Sequence, residues 1–90
     1  MLWIFMGTKG GVNRARIVNL LHEKPHNINK ISEKLNLNYK TVKYHTKLLE
    51  KNGILKSTQG IKYGALFFVS ELMLENYEEF QIMYKKLIKL

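Results

Sequence analysis

The sequence predicts one α+β domain, mostly α, and three observations predict it. Apolar residues recur with a helical period in four segments; one Gly-punctuated pair of short segments interrupts that period; and 90 residues are enough for a single core. A hydrophobic share of 46% is too high for a disordered tail. The predicted order is helix, helix, turn, helix, hairpin, helix, with no internal repeat.

Residues 1–6 are apolar, and Gly7-Thr8-Lys9-Gly10-Gly11 reads as a flexible connector, so that 1–12 form a leading unit. Asn13 is placed to cap a helix over 14–23, where Ile17, Leu20 and Leu21 fall at i, i+3 and i+4. Lys24-Pro25-His26 stops it, because proline lacks an amide proton and restricts the residue before it. A second helix over 29–35 sets Ile28, Ile31 and Leu35 on one face. Asn36-Leu37-Asn38 is a turn, and Asn38 caps a third helix over 39–52, closed by Gly53. The period then changes. Residues 54–58 and 63–69 read as strands around Gln59-Gly60-Ile61-Lys62, a hairpin with a Gly-containing loop. Ser70 caps a last helix from 71 to about 90. The expected units are thus 1–12, a central domain at 13–69 and a helix at 70–90.

Composition removes several classes of function. The chain has no Cys, which excludes disulfides, thiolate metal sites and cysteine nucleophiles. It also has no Asp: the 7 acids are all Glu, and Lys far outnumbers Arg. This Lys/Glu/Ile/Asn-rich usage fits an AT-rich genome and is archaeal or thermophile-like in composition. The longest apolar stretches, 1–6 and 65–69, are far short of the ~20 residues of a membrane span, and 1–6 lacks the basic start of a secretory signal. The expectation is a cytoplasmic protein with no membrane partner.

Charge divides the chain. Residues 1–70 hold 12 Lys and Arg against 3 Glu, a net +9; residues 71–90 hold 3 Lys against 4 Glu, a net −1. A cationic body with a near-neutral tail implies a polyanion-binding part and a part with another task. The third helix concentrates the signal. Lys40, Lys43, Tyr44, Lys47 and Lys51 recur at i, i+3, i+4, i+7 and i+11, a stripe opposite Val42, Leu48 and Leu49. Alone, such a stripe is usually a solvated helix face. Following a short helix and a tight turn, it becomes the second helix of a helix-turn-helix, which a DNA major groove can admit. Lys40, Lys43 and Lys47 can then reach phosphates or guanine edges, and Tyr39, Thr41 and Tyr44 phosphate or a thymine methyl. Lys56, Thr58, Gln59 and Lys62 make the hairpin a second, backbone or minor-groove contact, and Arg14 and Arg16 are candidates for further phosphates.

The run Ile31-Ser32-Glu33-Lys34-Leu35, Thr41-Val42-Lys43-Tyr44-His45 and Leu48-Leu49-Glu50-Lys51-Asn52-Gly53-Ile54-Leu55 resembles winged-helix transcription regulators, the ArsR-like group above all. That group's pattern runs I-S-x-x-L, T-V-S-x-H-L-x-x-L-x-x-x-G-L, and the similarity spans 14–69. Lys43 stands where the group often has Ser, and Thr46 where it usually has Leu. The resemblance implies a winged helix-turn-helix, a three-helix core plus a β-hairpin wing with an added C-terminal helix. It further implies a repressor or activator of transcription that binds double-stranded DNA as a homodimer on a palindromic site, and a half-buried, hydrogen-bonded role for His45. Members of the group often sense metals through Cys or His/Asp clusters; with no Cys and no Asp in this chain, the thiolate sensor chemistry is not carried over.

Weaker signals resolve against other chemistry. His22 and His26 have a metal spacing, but Pro25 breaks the helix between them and Glu23 is their only acid. Thr8-Lys9-Gly10-Gly11-Val12 is like part of a phosphate loop, without the Lys-Ser/Thr that must follow the glycines. No acid–base cluster supports an enzyme, and no cofactor or metal is expected. In the last helix Met73, Tyr77, Phe80, Tyr84 and Leu87 are spaced 4, 3, 4, 3, a heptad seam suited to a dimer or, being under three heptads long, to packing on its own chain, with Trp3 and Phe5 as further interface candidates. The rival reading is a winged-helix adaptor that binds protein, and a third is binding of single-stranded nucleic acid. The sequence is silent on any effector.

Overall fold

The computed structural model describes residues 2–58 and 64–89. Met1, Leu90 and the expected wing tip from Gln59 to Tyr63, including Gly60, Ile61 and Lys62, lie outside the described residues.

After a short 3-10 turn at Leu2–Ile4, helix α1 runs over Gly11–Glu23, α2 over Ile28–Leu35 and α3 over Tyr39–Lys51. Strands β1, Leu55–Ser57, and β2, Phe67–Val69, follow, then α4, Glu71–Glu75, and α5, Tyr77–Ile88. This is the winged helix-turn-helix arrangement with a C-terminal extension.

Side-chain caps set the helix starts. Asn27 accepts from the Lys30 amide and Asn38 from the Lys40 amide, each at 2.8 Å, and buried Ser70 accepts from the Met73 amide. The turn between α2 and α3 is fixed from both sides: Asn36 is left-handed at φ 53°, the Leu37 amide donates to the Ser32 carbonyl, and the Ser32 hydroxyl donates to the Leu37 carbonyl. Gly53, at φ 76°, closes α3 while the Ile54 amide reaches back to the Leu49 carbonyl at 2.9 Å.

Four expectations are corrected. Helix α1 starts at Gly11 with Gly10 as its cap, so Asn13 lies inside the helix and its side chain accepts instead from Arg16. The glycines are packed, not a loose connector: a Cβ on Gly11 would stand 2.1 Å from the Phe5 carbonyl oxygen. The hairpin is shorter than 54–58 with 63–69, pairing only Leu55 with Val69, Lys56 with Phe68 and Ser57 with Phe67. Beyond it the Leu66 amide donates to the Thr58 hydroxyl, and β2 exchanges two backbone hydrogen bonds with His26. Finally, the last helix is broken at Asn76, whose amide group donates to the Leu72 carbonyl at 2.8 Å and caps α4.

Ile17, Val18, Ile31, Val42, Leu49, Ile54 and Leu55 make the centre of the core, closed below by Ile4, Phe5, Met73, Phe80 and Met83. Among the described residues no helix is long and apolar enough to cross a membrane.

Candidate nucleic-acid interface

Helix α3 divides its residues by face. Val42, His45, Thr46 and Leu49 are buried, whereas Lys40, Lys43, Tyr44, Lys47 and Lys51 are exposed. Thr46, apolar in the pattern it resembles, hides its hydroxyl by donating to the Val42 and Lys43 carbonyls. Tyr39 and Tyr44 stand out at 45% and 61% exposure, and Thr41 is half-buried between them and the core. From Lys40 to Lys51 the stripe is ~16 Å long at the helical rise.

No acid offsets it. Among the described residues the one ion pair is Lys30 with Glu33, at 3.7 Å on α2. The single carboxylate on α3, Glu50, accepts a hydrogen bond from the Ser57 hydroxyl and is thereby tied to the hairpin. Exposed Lys56 continues the positive surface along β1, while Thr58 spends its hydroxyl on the Leu66 amide. A notch of about 260 Å³ opens beside the first turn of α3, lined by Asn27, Ile28, Asn29, Tyr39, Gly64 and Ala65.

The two arginines are placed elsewhere. Arg14, expected at phosphates, is buried. Its Nε donates to the Ile4 carbonyl at 2.7 Å, Nη1 to His45 Nδ1 at 3.2 Å, and Nη2 to the Thr8 hydroxyl at 2.8 Å and the Lys9 carbonyl at 3.2 Å. It clamps the N-terminal segment onto the back of α3. Arg16 donates to Asn13 Oδ1 and to the Leu35 carbonyl, bracing α1 against the end of α2. The signal for Arg14 is in the sequence: it lies three residues before Ile17 and seven before Leu21, on the buried face of α1.

Because a guanidinium only donates, His45 Nδ1 accepts and the ring proton sits on Nε2. Burial first, and then the Arg14 charge, hold the His45 pKa below its ordinary 6.5. Gly10 packs over the same ring; a Cβ there would come within 2.8 Å of His45 Cε1.

The expected dimer seam is mostly consumed by its own chain. Phe5 meets Phe80 edge-on at 5.2 Å, Tyr77 stacks on His22 at 3.6 Å, and Met73 is buried, so the seam candidates Phe5, Met73, Tyr77 and Phe80 serve the intramolecular core. Tyr84 and Leu87 are half-buried. Trp3, Leu72, Leu74, Ile82 and Ile88 carry the exposed apolar surface instead, with Ile82 at 60%. Among the described residues no group of three or more His or acidic side chains is arranged to hold a metal.

A helix-turn-helix with a hairpin wing and a cationic second helix defines a winged-helix regulator by class. The model of the family described as bacterial regulatory protein, arsR family, matches residues 11–57, and the chain belongs to that family. Its family and fold are those of transcriptional regulators. No curated protein matches the chain. Among solved structures it is similar to Lactococcus lactis ZitR in complex with DNA, at 22% identity and TM-score 0.70, over 87% of this chain and 55% of that one. It is also similar to the homodimeric winged helix-turn-helix DNA-binding domain of Mb0332 from Mycobacterium bovis, at 15% identity and TM-score 0.70, over 81% and 68%. A third is HlyU from Vibrio vulnificus, at 19% identity and TM-score 0.66, over 98% and 81%. At these identities the likeness is one of fold, and the chain spans about half the length of the ZitR chains.

Proposed function

We propose that this chain is a sequence-specific regulator of transcription that binds double-stranded DNA as a homodimer. The observation that carries the reading is the α3 face: four exposed lysines and two exposed tyrosines without a carboxylate partner, on the second helix of a helix-turn-helix. A solvated helix face has no need to leave such charge unopposed. Tyr39, Lys40, Thr41, Lys43, Tyr44 and Lys47 enter the major groove. Lys56 and Thr58, with Gln59 and Lys62 beyond the described residues, follow the backbone or the minor groove. Membership of the family and the likeness to ZitR, solved on DNA, support the ligand; the likeness to Mb0332, described as homodimeric, supports the assembly. Trp3, Leu72, Leu74, Ile82, Tyr84, Leu87 and Ile88 form the surface offered to the second copy.

Fluorescence anisotropy with a random duplex pool and with the DNA upstream of the protein's own reading frame, across a salt series, tests the ligand. One preferred sequence bound at two chains per site is expected, with affinity falling steeply in salt as counterions are released. Weak binding without preference would remove the proposal and favour the adaptor reading. Sedimentation of an Ile82→Glu variant tests the assembly, which is expected to shift to monomer.

A further inference from the structure

The side chains exposed on α3 restrict which base edges it can recognise. We infer that α3 reads guanine and thymine over three to four base pairs, through their N7, O6 and O4 acceptors and the thymine methyl, and leaves the amino groups of adenine and cytosine uncontacted. This rests on the proposed entry of α3 into the groove and names what it recognises there.

The argument is an inventory of donors and acceptors. Lys40, Lys43 and Lys47 present ammonium groups, which donate and never accept. In the major groove guanine offers N7 and O6 as adjacent acceptors, and thymine offers O4 beside a methyl. Adenine N6 and cytosine N4 offer donors, which need a partner that accepts. The side chains best suited to accept are missing or occupied. No Asn, Gln, Asp or Arg lies within Tyr39–Lys51. The Asn38 side chain accepts from the Lys40 amide, which occupies its oxygen, and Asn52, outside the exposed stripe, is turned back along the helix by donating its amide group to the Leu48 carbonyl. Glu50 is held by Ser57, and His45 Nδ1 is filled by Arg14. What remains besides the ammoniums is apolar surface rimmed by the hydroxyls of Tyr39, Thr41 and Tyr44, single-point groups that lack the bidentate geometry by which a carboxamide selects adenine. The Tyr44 ring is 61% exposed and braced edge-to-face on His45 at 5.4 Å, and Thr41 adds a methyl. Both suit a thymine methyl.

Length sets the number of bases. Lys40 to Lys47 is seven residues, ~10.5 Å of helix. Base pairs repeat every ~3.4 Å, so this reach covers three steps, or three to four pairs.

The test uses the intact chain and the duplex it selects from a random pool. That duplex is remade with single replacements: 7-deazaguanine, which lacks N7; uracil for thymine, which lacks the methyl; and purine for adenine, which lacks the amino group. Each 7-deazaguanine or uracil under α3 is expected to weaken binding roughly five- to hundredfold, the range for one base contact, while purine leaves it unchanged. Lys43→Ala, an exposed change, is expected to abolish sensitivity to one 7-deazaguanine and leave the other positions alone. Tyr44→Ala is expected to abolish sensitivity to uracil, and Tyr44→Phe to retain it. A selected site insensitive to 7-deazaguanine and uracil, or one weakened by purine, overturns this inference while leaving sequence-specific binding in place. A pool from which nothing is selected overturns both the inference and the groove reading beneath it.

Discussion

Arg14 provides the sharpest division between a binding residue and a structural one. Replacing it with Ala removes the donor for four acceptors: the Ile4 carbonyl and His45 Nδ1 in the interior, and the Thr8 hydroxyl and Lys9 carbonyl nearer its edge. A hydrogen bond from a charged donor contributes about 1.5–3 kcal/mol, and an orphaned buried acceptor costs about 1–3 kcal/mol. The two outer acceptors can turn to water once the segment loosens, so only the inner pair is counted in full. The expected cost is about 3–4 kcal/mol. A domain of this size holds about 5–13 kcal/mol in all, so Arg14→Ala retains roughly half of its margin. The loss also frees the segment that carries Ile4 and Phe5 into the core.

Urea denaturation followed by circular dichroism measures this directly, with the slope compared between wild type and variant. Lys43→Ala, an exposed control, should stay within about 0.5 kcal/mol. The two readings of Arg14 give opposite patterns. A clamp loses stability, and its DNA affinity falls only as far as α3 loosens. A phosphate contact keeps its stability and lowers the salt dependence of binding by about one unit. A cost below about 1 kcal/mol, together with that reduced salt slope, would refute the clamp.

Two further predictions follow from buried groups. His45 and His26 both have pKa values below 6.5, burial being the first cause in each; Arg14 adds to it at His45, and Lys34, Lys24 and Lys30 outweigh Glu23 at His26. The folded state therefore binds protons less readily than the unfolded one, so the contribution is complete above pH 6.5 and is lost as pH falls below it towards the folded-state values. The urea midpoint should decrease from about pH 7.5 to about pH 5.5; an unchanged or rising midpoint would contradict the burial of both rings. Gly11→Ala should cost about 3 kcal/mol or more, since its Cβ meets backbone at Phe5. Gly53→Ala, at φ 76° with nothing within 4 Å, should cost only about 1–2 kcal/mol. Equal losses in thermal unfolding would show that the close approach of Gly11 to Phe5 relaxes and does not govern the position.

What the sequence made legible was local. The turn from Asn36 to Asn38, the caps at Asn38 and Ser70 and the stop at Gly53 are each set by one residue's own chemistry, and α2 and α3 fall within a residue of expectation. Partnership was not legible. A period of 4, 3, 4, 3 identifies the apolar face of the last helix but not what covers it, and Phe5 comes from the far end of the chain to do so. The break at Asn76 leaves that period intact, because a single amide bonding to Leu72 ends α4 without shifting the face. The charge of Arg14 suggests a phosphate contact, whereas its position on the buried face of α1 gives it four partners within the chain. The α3 stripe was legible because it points away from every other element, so nothing tertiary could reassign it.

That stripe makes α3 less stable than its sequence length would allow, and this is its functional signature. Lys43–Lys47 and Lys47–Lys51 are like-charged at i,i+4, and Lys40–Lys43 at i,i+3; each pair opposes the helix by about 0.2–0.5 kcal/mol. Lys47→Glu removes two of the three repulsions and replaces them with two attractions, one of them, to Lys51, in the favourable order, but it also turns the i,i+3 attraction between Lys47 and Glu50 into a repulsion. The expected net gain is about 0.5 kcal/mol at low salt, shrinking as salt is added. The same change places a carboxylate in the middle of the groove face, where it must meet phosphates and acceptor edges, so DNA affinity should fall by at least tenfold. Stability from urea unfolding and affinity from anisotropy should therefore move in opposite directions in one variant. A merely solvated face would gain stability and lose nothing else. If Lys47→Glu were destabilising, or bound the selected duplex as tightly as wild type, the case for an unopposed cationic reader on α3 would fail.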